Sequence, residues 1–253
     1  MYQPQPSARI RLIYLPFCIP LLALILAAIP LSVAAQTLTP ECETELALSA
    51  LPKRLRDQAT AYIHTDSGYQ RVGQARTTFA CIVERNHPLA LIPQCLDQAG
   101  ATTILPALIY KSEQIMAGEP PATVIAAYKT KLQGGEFQAP VRPGVSYMTS
   151  AYNRVYLTQR NERIPVGPHV MYYAPGLNNE DIGGSQPDAM QNRGMPFVLD
   201  AGPHGYMISF VEKASNSAAV EQACGEQLSA FDISMAPRKN PTTALLGGKI
   251  SSD

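Results

Sequence analysis

EFQAPVRPGVSYM, residues 136–148, is where the pattern of this 253-residue chain changes. The stretch is extended and bounded by Pro140 and Pro143; before it the apolar residues recur with a helical period, and after Gly144 they alternate for roughly 70 residues. Upstream, Leu105, Leu108, Ile109, Ile115 and Met116 predict a helix, with Thr103 placed to cap it and Pro106 in the tolerant first turn. Gly118 closes that helix. A second runs over 121–133, burying Val124, Ile125, Tyr128 and Leu132, and stops at Gly134 and Gly135. Downstream, strands are expected at 145–150, 154–159, 170–173, 196–199 and 206–212, with turns at 159–162 and 201–205.

Working outward, residues 37–61 read as one or two short helices interrupted by Pro52. The turn Asp66-Ser67-Gly68 separates strand-forming runs at 61–65 and 69–72, and 77–84 adds a third strand, which predicts a small antiparallel meander. Residues 86–100, holding Pro88 and Pro93, read as a loop. The 21 residues of 174–194 form a loop longer than compact domains use without a reason. A short helix at 218–228 holds Cys224, and 236–253 is too polar and proline-rich to order itself. The fold class is α+β: a small antiparallel meander, two central helices, and an antiparallel sheet in the second half.

The first 35 residues have the order of an export signal. Arg9 and Arg11 precede an apolar run over 12–35 that ends in Ser32-Val33-Ala34-Ala35, the small side chains a signal peptidase accepts, so cleavage is expected after Ala35. An uncleaved anchor is the competing reading, because the run exceeds the ~20 residues a spanning helix needs; Pro16, Pro20 and Pro30 count against it. Neither Cys18 nor Cys42 has the setting of a lipid-modified cysteine. The expected organisation is a signal at 1–35, one globular α+β domain at 36–235 and a disordered tail at 236–253, located in the periplasm or outside the cell.

After removal of that signal, 18 basic residues face 20 acidic ones, a balance that gives no footprint for nucleic acid or for an anionic membrane surface. Contact with a membrane would come only through an uncleaved anchor. Four cysteines remain, Cys42, Cys81, Cys95 and Cys224, and an exported chain with an even number reads as two disulfides. The 14-residue separation of Cys81 and Cys95 suits a strand and its return, which leaves Cys42 and Cys224 to tie the ends together. Buried free thiols are the alternative. No C-x-x-C suggests a zinc ribbon or a redox pair.

Chemical motifs are sparse. Gly144-Val145-Ser146-Tyr147-Met148 approaches a nucleophile elbow but has Met148 where the strained turn needs glycine. No Walker A, G-x-G-x-x-G, S-x-x-K or H-E-x-x-H occurs. One internal echo stands out: Gly167-Pro168-His169 and Gly202-Pro203-His204 each lead into a strand with a methionine close behind. With Asp181, Glu180 or Asp200, His169 and His204 would suit a divalent metal ion; equally, Gly-Pro is ordinary turn chemistry and each histidine can bond backbone. The run Asn178-Asn179-Glu180-Asp181-Ile182-Gly183-Gly184-Ser185 has the oxygens for calcium but not an EF-hand order, and Asx turns account for it as well. His64 fits the hairpin and His87 a loop.

Several phrases occur together: FACIVER (79–85), PQCLD (93–97), APVRPGVSYMTS (139–150) and PHVMYYAP (168–175) running into NEDIG (179–183). On them the chain resembles a group of uncharacterised exported bacterial proteins over roughly 62–211, a likeness that implies a bacterial, exported, single-domain protein and assigns no catalytic residue. The functional expectation is an exported protein binding a small ligand, a metal ion or an envelope partner through His169, the 178–185 loop and His204. A hydrolase with an unconventional or metal-assisted site around His169, Asp181 and His204 is the rival. Both require His169 and Asp181 to approach each other.

Overall fold

The computed structural model describes residues 38–73, 78–212, 214 and 217–231. The expected signal and the expected tail therefore lie outside the described residues. Thr39 and Pro40 start α1 (Pro40–Leu48), the Thr39 hydroxyl accepting from the Cys42 N–H. Pro52 separates α1 from a 3-10 turn, Lys53–Gln58, which feeds β1 (Ala59–Thr65) and its hairpin partner β2 (Gly68–Val72).

The expected meander is corrected at the next strand. β3 (Phe79–Glu84) does not pair with β2 but lies parallel to β1 on its other side. The burial pattern gives the reason: β2 is mostly exposed and tolerates an edge, whereas Phe79 to Val83 are all buried and need neighbours on both flanks. The segment read as a loop also contains β4 (Ile92–Asp97), antiparallel to β3, despite Pro93. One eight-stranded sheet results, completed by β5 (Val145–Met148), β8 (His169–Tyr173), β9 (Phe197–Asp200) and β10 (Tyr206–Phe210), in the order β2-β1-β3-β4-β5-β8-β10-β9. All pairings except β1–β3 are antiparallel. The remaining strands, β6 (Arg154–Leu157) and β7 (Glu162–Pro165), form a separate two-stranded ribbon.

Both expected central helices form, as α3 (Leu105–Met116) and α4 (Pro121–Gln133). Thr103 does not cap α3; it ends the short α2 (Gln98–Thr103), where its hydroxyl donates to the Ala99 carbonyl at 2.7 Å. In α4 only Val124 is fully buried, and Ile125 faces solvent. The long loop holds two small helices, α5 (Asn179–Ile182) and α6 (Gln186–Gln191), and α7 (Ala218–Cys224) follows the last strand. Among the described residues no helix is long and apolar enough to cross a membrane.

Alternation along the strands splits the core. On one face Ala61, Ile63, Phe79, Cys81, Val83 and Cys95 pack against Leu46, Ala47, Leu51, Val220, Leu228 and Phe231. On the other, Ala80, Ile82 and Leu96 meet Leu105 and Leu108, while Met148, Met171, Phe197 and Ile208 meet Ala90 and Ala189, with Val155 and Tyr156 of the ribbon against them. Two disulfides form, Cys81–Cys95 across β3 and β4 and Cys42–Cys224 between α1 and α7. Asp97 links layers: one oxygen accepts from the Gly100 N–H at the start of α2, and the other from the Val145 N–H at 3.2 Å. A Cβ on Gly144 would fall 2.5 Å from that second oxygen and against the Tyr173 ring, so the chain passes there only as glycine.

Candidate functional site

His169 opens β8 and is buried. Its Nδ1–H donates to the Gly167 carbonyl at 2.7 Å, since a carbonyl can only accept, and its ring meets the Phe210 ring edge-on. Burial holds the imidazole below its ordinary pKa of 6.5, the Gly167 bond partly opposes this, and the charge of Arg193 adds to the lowering. His204 stands two residues before β10. Its Nε2–H donates to the Gln138 carbonyl at 2.8 Å, which leaves Nδ1 to accept from the Tyr128 hydroxyl at 3.1 Å. Burial lowers this histidine's pKa too.

The structure does not bring these two histidines together. In the β8–β10 ladder Phe210 lies opposite His169 and Tyr206 opposite Tyr173, so the residue after each Gly-Pro sits at a different end of the pair. Four strand steps separate those ends, roughly 13 Å at ~3.3 Å per residue. The cause is general: two copies of one phrase that each lead into adjacent antiparallel strands must finish at opposite ends. Asp181 belongs to α5. Its carboxylate accepts from the Asn178 N–H at 3.0 Å while the Asn178 side chain accepts from the Asp181 N–H, a capping box that starts α5. Asn178 and one oxygen of Asp181, two of the donors proposed for a cation, are thus engaged in a helix cap. Among the described residues, no group of three or more His, Cys, Asp and Glu side chains could hold a metal ion.

What His204 does instead is tie α4 to the sheet. Lys111 of α3 lies over the Tyr128 ring at 5.1 Å and pairs with Glu84 at 3.5 Å; Gln94 donates to Glu84 at 2.7 Å and accepts from Ser146 at 3.3 Å. Burial first, then the negative charges of Asp200 and Glu84, push the Tyr128 phenol up to about 12. It therefore stays protonated and able to donate to His204 near neutral pH.

A cavity of about 400 Å³ lies elsewhere, against the β6–β7 ribbon. The ribbon is anchored to the β3–β4 connection at three points. Leu91 and Arg154 exchange backbone hydrogen bonds at 2.9 and 2.6 Å. The Asn86 side chain donates to the Tyr156 carbonyl at 2.9 Å and accepts from its N–H at 3.1 Å, standing in for a strand partner. The His87 ring stacks on the Tyr156 ring at 3.5 Å, almost parallel. His87 Nδ1 accepts from the Leu89 N–H, and burial together with the nearby Arg163 charge lowers its pKa, so it stacks as the neutral ring.

Ribbon register decides what faces the cavity. Arg154 lies opposite Pro165 and Tyr156 opposite Arg163, so these four share one face, and all four line the cleft. Leu89 and Phe231 complete the apolar wall, and Asn161 and Glu162 stand at the ribbon's tip. Asn161 occupies the left-handed region at φ 51, a conformation asparagine tolerates, and accepts from the Tyr156 hydroxyl. Arg154 is buried to 6% exposure, and its Nη1 donates to the Ala151 and Asn153 carbonyls at 3.2 and 2.8 Å, which fixes the guanidinium. None of these cleft residues is singled out by a sequence motif. The available signal is the alternation Arg154-Val155-Tyr156 and Arg163-Ile164-Pro165 around an Asn161 turn, which marks a ribbon with one charged face.

None of the four histidines bonds to a serine, threonine or cysteine side chain among the described residues, so no nucleophile and base stand paired there. No protein-family model matches this chain, and neither does any curated protein or solved structure.

Proposed function

We propose that this is an exported binding protein that holds a small ligand in the cleft under the β6–β7 ribbon. The observation that carries the reading is the cleft: about 400 Å³, within the ~300–1,000 Å³ typical of small-molecule sites, with an apolar wall and a few polar groups held by backbone contacts. Export is supported by the charge-then-apolar order of residues 1–35 and by two disulfides, which persist in oxidising compartments. The surface expected over His169, Asp181 and His204 gives way to the cleft, because the strand register holds the two histidines apart and a helix cap engages the aspartate.

Thermal unfolding of the chain from residue 36 onward, screened against small molecules, tests this. A ligand at a hundredfold its Kd stabilises by about 2.7 kcal/mol, a shift of several degrees in a domain of this size. Leu89→Trp, which fills the cleft from a half-buried loop position, should abolish the shift while leaving ligand-free unfolding unchanged. Shifts that survive Leu89→Trp would place the ligand elsewhere.

A further inference from the structure

We propose that residues 121–138, α4 and its return towards the sheet, form an acid-released strap latched by His204. One imidazole holds the segment at two points: Nε2–H donates to the Gln138 carbonyl at 2.8 Å, and Nδ1 accepts from the Tyr128 hydroxyl at 3.1 Å. The other anchors of α4 are slight. Val124 is its one fully buried side chain, and Phe137, just after the helix, packs against the Tyr110 and Tyr128 rings at 5.7 and 6.1 Å. Lys111 lies over the Tyr128 ring and Lys131 over the Tyr110 ring, contacts that join α4 to α3 rather than to the sheet. The ion pair from Lys131 to Glu136 links two residues of the strap itself.

The latch works in one protonation state. A carbonyl only accepts, so Nε2 carries the proton, and Nδ1 can receive the Tyr128 hydrogen only while the ring is neutral. An imidazolium has two donors and no acceptor, so its Nδ1–H would meet the hydroxyl hydrogen and turn Tyr128 away. The charged and titratable groups around this point are Tyr128 of α4, Lys111 of α3, Glu84 of β3, Asp200 of β9 and Tyr206 of β10. Burial disfavours a charge on His204, and Lys111 adds to this; together they outweigh the Gln138 bond and Asp200, which favour the charged ring. With the folded-state pKa below 6.5, the latch contributes stability that is present above 6.5 and is lost as pH falls through the folded value. Of the side-chain types gathered here, only imidazole ordinarily titrates between about pH 5 and about pH 8. Release would swing α4 with α3 and uncover the Tyr128 and Phe137 rings.

Amide hydrogen exchange along the chain from residue 36 onward, followed from about pH 7.5 to about pH 4.5 and corrected for intrinsic rates, tests the strap. On acidification, protection over 121–138 should fall by about threefold to tenfold more than protection over β3 and β4, the weight of one neutral hydrogen bond. His204→Gln, which cannot take up the proton, should abolish that difference. Tyr128→Phe should lower protection of the strap already at neutral pH and leave little to be lost in acid. A fall shared equally by the whole chain, or no fall over 121–138, would overturn the proposal. So would a fall confined to 121–138 that persists in His204→Gln. Should His204→Gln not fold, Tyr128→Phe decides alone, because a parent-like acid response in that variant means that the strap is not held through His204.

Discussion

The two halves of the sheet are built on different terms. Strands β1, β3 and β4 are covered on both faces, by α1 and α7 on one side and α2 and α3 on the other, and both disulfides lie in this half. It also contains a buried ion pair, Arg85 to Glu43 at 2.7 Å, with both side chains 2% exposed. Beyond β5 there is no disulfide among the described residues, and the sheet is covered by the ribbon, by two helices of four and six residues, and at one end by α4 through the Tyr128–His204 contact. Stability concentrated in one half leaves the other free to present loops, a ribbon and a cleft.

Removing the cross-links should break this contrast most. On loop-closure entropy, the Cys42–Cys224 bridge, with a sequence separation of 182, is worth about 5 kcal/mol, and Cys81–Cys95, with a separation of 14, about 3 kcal/mol. Urea midpoints of Cys42→Ala/Cys224→Ala and Cys81→Ala/Cys95→Ala should fall in that order. Equal losses would mean that the long bridge closes a loop already restrained in the unfolded chain.

The ion pair comes next. Glu43→Ala strands the Arg85 guanidinium in the core and should cost about 3–5 kcal/mol, whereas Glu43→Leu/Arg85→Met should recover most of it, because two apolar side chains need no desolvation. Arg85 also donates to the Ala90 carbonyl at 3.3 Å, so the double variant gives up one further bond. A double variant no better than the single one would make the pair a requirement for the α1–β3 packing rather than a tolerated charge.

The same division explains what the sequence discloses. Fold class, α3, α4 and the strands β5, β8, β9 and β10 follow from periodicity, because each is long enough or regular enough to show one face, while the 14-residue separation of Cys81 and Cys95 only favours one of three pairings. β4 is hidden by Pro93. Cys81 and Cys95 stand directly opposite at a Cα separation of 4.0 Å, the short spacing of a pair that exchanges no backbone bonds. Pro93, two residues earlier, has the same parity, so its nitrogen points away from β3 towards β5, which pairs only Cys95 and Leu96. A proline is harmless there, and nothing local announces it. The cleft is hidden for another reason: most of its lining lies on four-residue strands and is assembled only once Asn86 and Leu91 hold the ribbon, contacts roughly 65 residues apart in sequence that no local pattern encodes. His169 and His204 mislead in the opposite way, since identical phrases imply a shared site until antiparallel register separates them.

Acid titration sharpens the comparison, with the smallest expected effect. Glu43, in the stapled half, has its carboxyl pKa raised above 4.5 by burial, against the opposing pull of Arg85. A raised folded-state pKa contributes stability that is present below the unfolded value and is lost as pH rises through the folded one. His169, in the open half, has its pKa lowered below 6.5 by burial, so its contribution is present above 6.5 and is lost as pH falls through the folded value. Between about pH 5 and about pH 7.5 the two groups therefore act in opposite directions. Urea midpoints at those two pH values should fall on acidification less steeply in His169→Gln than in the parent protein, and more steeply in Glu43→Gln. The slope, not the absolute midpoint, carries the test, because each substitution also changes packing at every pH. Slopes moving together in the two variants would mean that one of these side chains is solvated in the folded protein, and that the two halves are not as differently enclosed as their burial indicates.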